Sequence, residues 1–346
     1  MTPYSNQPQR AFWRSGVSEQ TPLRIEGLYE PKFKIDKEMR IAAAGSCFAQ
    51  HIGSQFKKRG YNFLDLEQAP EGFPSEKNHV YGFDLYSCRY GNVYSVRQLV
   101  QLFARADGRF IPEESSFIEK DSRVRDPFRP AIEPGGFVDQ AEMIRDREHH
   151  FSKVRSLAAQ TDLFVFTFGL TECWECISDD AALPACPGTV GGEFDAARYR
   201  FKNFAFGEVM EDAETFISYA LSKNPSMKFL FTVSPVPLTA TATDDHVLSA
   251  TVYSKSVLRA VCGELRSKYS FVDYFPSYEL VASHPMRAMY FMPNLRAVAK
   301  EGVEIVMETF FRAHGDEGSN QSLDLQEARA KTDPVCEEAI LDTFGV

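Results

Sequence analysis

Two short runs constrain the fold of this chain more than anything else in it. Leu163–Phe168 reads LFVFTF and residues 229–233 read FLFTV, each almost without polar side chains. A strand with one wet face alternates apolar and polar residues. These do not, so both need cover on both faces, as the central strands of a parallel sheet have it. Residues 40–44 (RIAAA), 61–64 (YNFL) and 271–274 (FVDY) have the same length and character. Helical patterns lie between the runs. Phe48, Ile52 and Phe56 recur every fourth residue after the first, and Gly60 stands where a C-terminal cap belongs. Val96, Leu99, Val100 and Phe103 form a second apolar face, and Val209, Ala213, Phe216, Ile217 and Ala220 a third. Val303, Val306, Met307, Phe310 and Phe311 mark a last one. Strands alternating with helices predict an α/β fold with a parallel sheet between two helical layers.

The rhythm breaks twice. About residues 66–160 hold one clear helix and many turn signals (EGFP, YGN, DPFRP, EPGG), too much for a simple crossover. They read as a cap inserted beside a ligand crevice. About residues 178–206, with CPGTVGGEFD, read as a second loop-rich insertion. Residues 313–346 read as a charged tail after a single domain spanning 1–312, its closing DPVCEEAILDTF docking as a short helix.

Charge and composition remove several function classes. The net charge is −10 over 346 residues, with no Lys/Arg stripe of the kind nucleic-acid and anionic-membrane binders carry. The first twenty residues lack an apolar core, so no secretory signal is expected. No apolar run reaches the roughly 18 residues of a membrane helix. Seven scattered cysteines, an odd number, argue against a disulfide framework. A soluble cytoplasmic protein is the expectation.

Ligands bind open parallel sheets at the carboxyl ends of the strands. Gly45-Ser46-Cys47 lies at such an end, where a helix N-terminus favours a thiolate and offers N–H groups to an oxyanion. The same three residues also suit a tight turn with Ser46 capping and Cys47 packing. At the next strand end stand Gly169, Thr171 and Glu172, and beyond the one after it Asp244, Asp245 and His246. A Cys or Ser with a His and an acid is the arrangement that activates a nucleophile. Other sets carry less. Cys173 and Cys176 with Cys186 have a zinc-like spacing but no second pair. His149-His150 lies in a charged helical stretch and reads as solvated, and His51, four residues after Cys47, reads as packing. The glycines of PGTVGG lack a phosphate-loop lysine.

Long stretches in order, among them IAAAGSCFAQHI, RYGNVYSVRQL, DPFRP, FGLTECW, SPVPLTAT and YFPSYE, resemble the GSCFA-domain family over most of the chain. That family is similar to the SGNH (GDSL-type) hydrolases, which implies a flavodoxin-like three-layer α/β/α sandwich. It further implies acyl-ester hydrolysis, or acyl transfer, on a carbohydrate or acylated glycan. Laid on the Gly-Asp-Ser block of those enzymes, the nucleophile position falls on Cys47 and the Asp position on Ser46; a one-residue shift would make Ser46 the nucleophile. Gly91 and Asn92 resemble the second block and Thr171 stands at the Asn of the third, so these are the implied oxyanion donors. The last block, Asp-x-x-His, has only Asn294-Leu295-Arg296-Ala297 to match it. His246 is then the substitute base, oriented by Asp244, Asp245 or Glu172, unless it merely begins a helix. Arg296 would bind an anionic group, or form a surface ion pair. No metal or organic cofactor is implied for hydrolysis; a transferase would use a donor such as acyl-CoA. The competing reading is a non-catalytic carbohydrate-binding or polysaccharide-assembly protein with a degenerate site.

Overall fold

A computed structural model describes residues 2–316 and 337–344. In chain order come β1 (Ile41–Gly45), α1 (Phe48–Lys58), α2 (Val96–Ala106), β2 (Phe117–Ile118), β3 (Val124–Arg125) and α3 (Gln140–Gln160). Then follow β4 (Leu163–Phe168), β5 (Glu172–Cys176), β6 (Ala182–Leu183), β7 (Tyr199–Asn203) and α4 (Phe206–Lys223). The rest is β8 (Lys228–Val233), α5 (Val247–Lys268), β9 (Val272–Tyr274), α6 (Ser277–Ala282), α7 (Lys300–Ala313) and a closing 3₁₀ segment, Glu337–Phe344. The tail expected over 313–346 falls mostly outside the described residues.

The main sheet is parallel and runs β1-β4-β8-β9, with Ile41 opposite Leu163, Leu163 opposite Lys228 and Phe229 opposite Val272. The expected strand at 61–64 is reduced to one parallel bridge, Phe63 to Ile41. Its hydrogen bonds go from Ile41 N to Asn62 O (2.9 Å) and from Leu64 N to Ile41 O (2.8 Å). The chain therefore leaves β1 toward one edge and returns on the other side as β4. Open parallel sheets bind their ligands where successive connections part like this, at the carboxyl ends of the strands.

Alternation along β1 and β4 sends successive side chains to opposite layers. Ala42, Ala44, Phe164, Phe166 and Phe168 meet the apolar stripes of α2, α4 and α5 and the second half of α3. Ile41, Ala43, Leu163 and Val165 meet α1 and α7. Burying each large apolar side chain in these layers is worth about 1.5–3 kcal/mol. So α2 and half of α3, within the stretch expected as a cap, cover the sheet directly. A smaller antiparallel sheet, β6-β5-β7, follows the turn after β4 and takes in part of the second expected insertion. Among the described residues no helix is long and apolar enough to cross a membrane.

Candidate functional site

β1 ends in a turn that glycine makes possible. Gly45 has φ +144°, and a Cβ there would stand 2.6 Å from Thr167 O. Ser46 N donates to Thr167 O at 3.3 Å, and Cys47 begins α1 without side-chain capping. Both residues are buried, Ser46 at 3% and Cys47 at 7% exposure. The Ser46 side chain is therefore not a helix cap, and its Oγ has no partner among the described residues.

Two more segments lace onto this turn. Val93 N donates to Gly45 O at 2.9 Å, and Gly169 N and Leu170 N both donate to Tyr94 O at 3.0 Å. A Cβ on Gly169 would meet Ser46 Cβ and Tyr94 O at 3.0 Å, so only glycine lets the three segments close up. Asn92 is thereby drawn to the same turn, while Gly91 lies next to the Glu337 carboxylate. Asn92 is buried and held hard: its Oδ1 lies 3.1 Å from Gln50 Nε2 and 2.5 Å from the Tyr86 hydroxyl. The same hydroxyl is 3.1 Å from Ser46 O, and its single proton serves one acceptor at a time. Burial first, then the nearby Cys47, pushes the Tyr86 phenol well above its ordinary range, so it stays a donor. Asn92 Nδ2 and the Tyr94 hydroxyl donate to the Glu337 carboxylate.

Thr171 follows Gly169 at the end of β4. Its N–H donates to Ser254 Oγ at 3.0 Å, while its own Oγ1 is buried and unpartnered among the described residues. Lys255, only 1% exposed, donates from Nζ to Gly169 O at 2.7 Å. Periodicity misses Lys255 as a site residue, although its phase with Leu258 and Cys262 places a lysine on the buried face of α5.

The remaining expected residues lie elsewhere. His246 is exposed and caps α5, its Nδ1 accepting from Leu248 N at 3.1 Å, so the structure uses it as a helix start. Asp244 and Asp245 are exposed as well. The Glu172 carboxylate accepts from Thr241 Oγ1 at 2.8 Å rather than from His246, and burial raises its pKa against that bond. Arg296 sits in a turn before α7, its N–H bonded to Asn294 Oδ1 at 3.0 Å. Cys173 and Cys176, three apart on β5, face opposite sides and join different apolar clusters. They cannot share a metal, and no His/Cys/Asp/Glu group among the described residues could hold one.

His150 is a correction: it is fully buried, not solvated, because α3 turns it inward onto Glu67. Its Nδ1 lies 2.7 Å from Glu67 Oε2, which also accepts from Arg89 N at 2.8 Å. Burial and Arg129 favour the neutral imidazole. Burial opposes ionisation of Glu67, but the hydrogen bond from neutral His150 Nδ1–H, Arg129 and the Arg89 N–H outweigh it and hold the carboxyl at about 2. Arg89 and Arg129 both reach Asp146, at 2.9 and 2.7 Å. This network anchors the backbone from which Gly91 and Asn92 project.

The chain belongs to the GSCFA family, whose model matches residues 40–310. No curated protein matches the sequence. That match corrects one expectation. It is to the GSCFA family and not to an SGNH or GDSL hydrolase family, so the terms hydrolase, esterase and acyltransferase have no support here.

Proposed function

We propose that this GSCFA-family chain binds a carbohydrate in the crevice at the carboxyl ends of β1 and β4. It acts there as a recognition or polysaccharide-assembly protein, without a histidine-driven reaction. The observation that carries the reading is the pair of buried hydroxyls, Ser46 Oγ and Thr171 Oγ1, without partners among the described residues. A buried hydroxyl left unbonded costs about 1–3 kcal/mol. A sugar hydroxyl, donor and acceptor at once, suits such a group. His246, the expected base, caps a helix in solvent instead. Two finer statements go with the proposal. A flavodoxin-like fold is supported by the sheet order with 61–64 at its edge. A cytoplasmic location is supported by the six cysteines of the described residues, all free thiols.

Saturation-transfer NMR against neutral, amino and acidic saccharide fragments tests the reading. At least one class should bind, and Thr171→Val should weaken it five-fold or more. Silence from every saccharide, or a Thr171→Val variant that binds like wild type, would overturn it.

A second reading has Cys47 as a nucleophile. It is favoured by the thiol's place at the start of α1, a setting that activates thiols in general, with the Lys255 amine bonded at the next strand end. Rapid alkylation of Cys47 at neutral pH, ahead of the other thiols, would support it. A Cys47 inert until the chain unfolds would exclude it.

A further inference from the structure

Glu337 opens the segment Glu337–Phe344, and its side chain is buried against Asn92 and Tyr94. One carboxylate oxygen, Oε2, accepts from Asn92 Nδ2 and, at 2.8 Å, from the Tyr94 hydroxyl. The Asn92 donor is preset, and the Tyr94 ring is held in place. Gln50 and Tyr86 occupy Asn92 Oδ1, which fixes the amide with its NH₂ group toward the carboxylate. Tyr94 is fixed from its backbone, whose carbonyl takes two N–H groups from the turn after β4. The Asn92 amide thus offers an incoming oxygen only donors, and the Tyr94 hydroxyl, which can donate or accept, donates to the carboxylate that sits there. An acceptor-only oxygen fits them, and an ionised one is held more strongly than a neutral one. Both donors are neutral, and Arg129, which lines the cavity beside Asn92 and Glu337, is already paired with Asp126 and Asp146, which suits a planar monoanion better than a phosphate dianion.

We propose that Asn92 and Tyr94 form a carboxylate subsite, that the ligand is an acidic saccharide of the uronic-acid class, and that Glu337 holds the subsite until that ligand displaces it. The inference rests on the saccharide reading above. The buried Ser46 and Thr171 hydroxyls take the sugar ring, and the Asn92–Tyr94 pair takes its carboxylate. Glu337 is then an intramolecular competitor, the same functional group in the same place.

The test is calorimetric titration of the full chain with sodium glucuronate and galacturonate, beside glucose, galactose and sodium acetate. Glu337→Ala should bind the uronates at least ten-fold more tightly than wild type, because the competing carboxylate is gone. In that background Asn92→Asp, which sets a carboxylate where the NH₂ was, should cut uronate affinity ten-fold or more. Tyr94→Phe should cut it by several-fold, and circular dichroism shows whether each variant keeps its fold. Equal uronate affinity in wild type and Glu337→Ala overturns the proposal. So does uronate binding that both Asn92→Asp and Tyr94→Phe leave untouched while folded. Neutral sugars that bind as well as the uronates and respond only to Thr171→Val would overturn the acidic ligand and leave the saccharide reading standing. Acetate binding as tightly as the uronates, with no sugar bound, would overturn the proposal by removing the saccharide reading, while the carboxylate contact survived.

Discussion

Asp126→Asn should cost about 3 kcal/mol of folding stability, a large share of the ~5–15 kcal/mol a folded protein has to lose. Asp126 is 1% exposed and takes three donors: Arg129 Nε at 3.2 Å, Arg147 Nε at 3.1 Å and Phe128 N at 3.0 Å. Burial opposes its charge, but Arg147 and Arg129 hold the carboxyl well below the usual range. Arg105 stacks on Phe128 beside it, and burial brings that guanidinium down to about 9. Breaking a buried ion cluster at one member costs about 3–5 kcal/mol, because the other charges stay buried without compensation. Asparagine keeps the shape and retains the Phe128 N–H bond, worth about 1 kcal/mol, which sets the expectation at the lower end. Urea unfolding, followed by the fluorescence of Trp13 and Trp174, reads the loss. Adding Arg147→Met should recover part of it by removing one stranded cation. A loss below about 1 kcal/mol, or no recovery in the double variant, would refute the view that paired charge holds this region together.

Four other outcomes are expected. Gly45→Ala should lower stability by about 3 kcal/mol, because φ +144° and the 2.6 Å approach to Thr167 O both exclude a side chain; a wild-type melting temperature would contradict this. The folded chain holds the Glu67 carboxyl at about 2, below its ordinary 4.5, so its contribution is complete above about 4.5 and fades as pH falls toward 2. Glu67→Gln should therefore flatten the acid limb of the stability curve between those values, and an unchanged limb would show that Glu67 takes no part. Thr171→Val should leave stability equal or raise it by up to about 1 kcal/mol while ligand binding falls, since it removes an unpartnered hydroxyl; a matching loss of stability would make Thr171 structural. His246→Ala should cost about 1 kcal/mol or less as a lost helix cap and leave saccharide affinity unchanged, and a fall in affinity would return His246 to the site.

The fold was legible where burial on two faces wrote itself into the sequence. LFVFTF is β4 to the residue, and FLFTV is β8 less its half-buried first residue, Lys228. YNFL was less so. It has strand composition, yet it meets its neighbour at Ile41 alone, and composition does not reveal how many pairs an edge segment makes. At the site, Gly45, Ser46 and Cys47 close β1 and Thr171 follows β4, whereas Asn92, implied only by the family resemblance, hangs from the loop before α2 and reaches the same turn through the Tyr86 hydroxyl. His246 failed for a local reason: the chain after β8 needs a cap for α5, and the imidazole supplies it. Glu337 lies far along the chain in a stretch of tail-like composition, so no period or motif ties it to Asn92. His150 was misread because a charged helix is expected to be wet, whereas here the charges pair with one another inside.

The most direct test of a saccharide site at the β1 and β4 strand ends is a crystal structure with the tightest saccharide bound. Ligand oxygens within hydrogen-bond distance of Ser46 Oγ or Thr171 Oγ1 are the expected result. The contradicting result is a ligand seated elsewhere. The surface groove of about 600 Å³ between Glu119, Arg125 and Phe194 is large enough to take one, and an occupied groove above an empty crevice would move the function there.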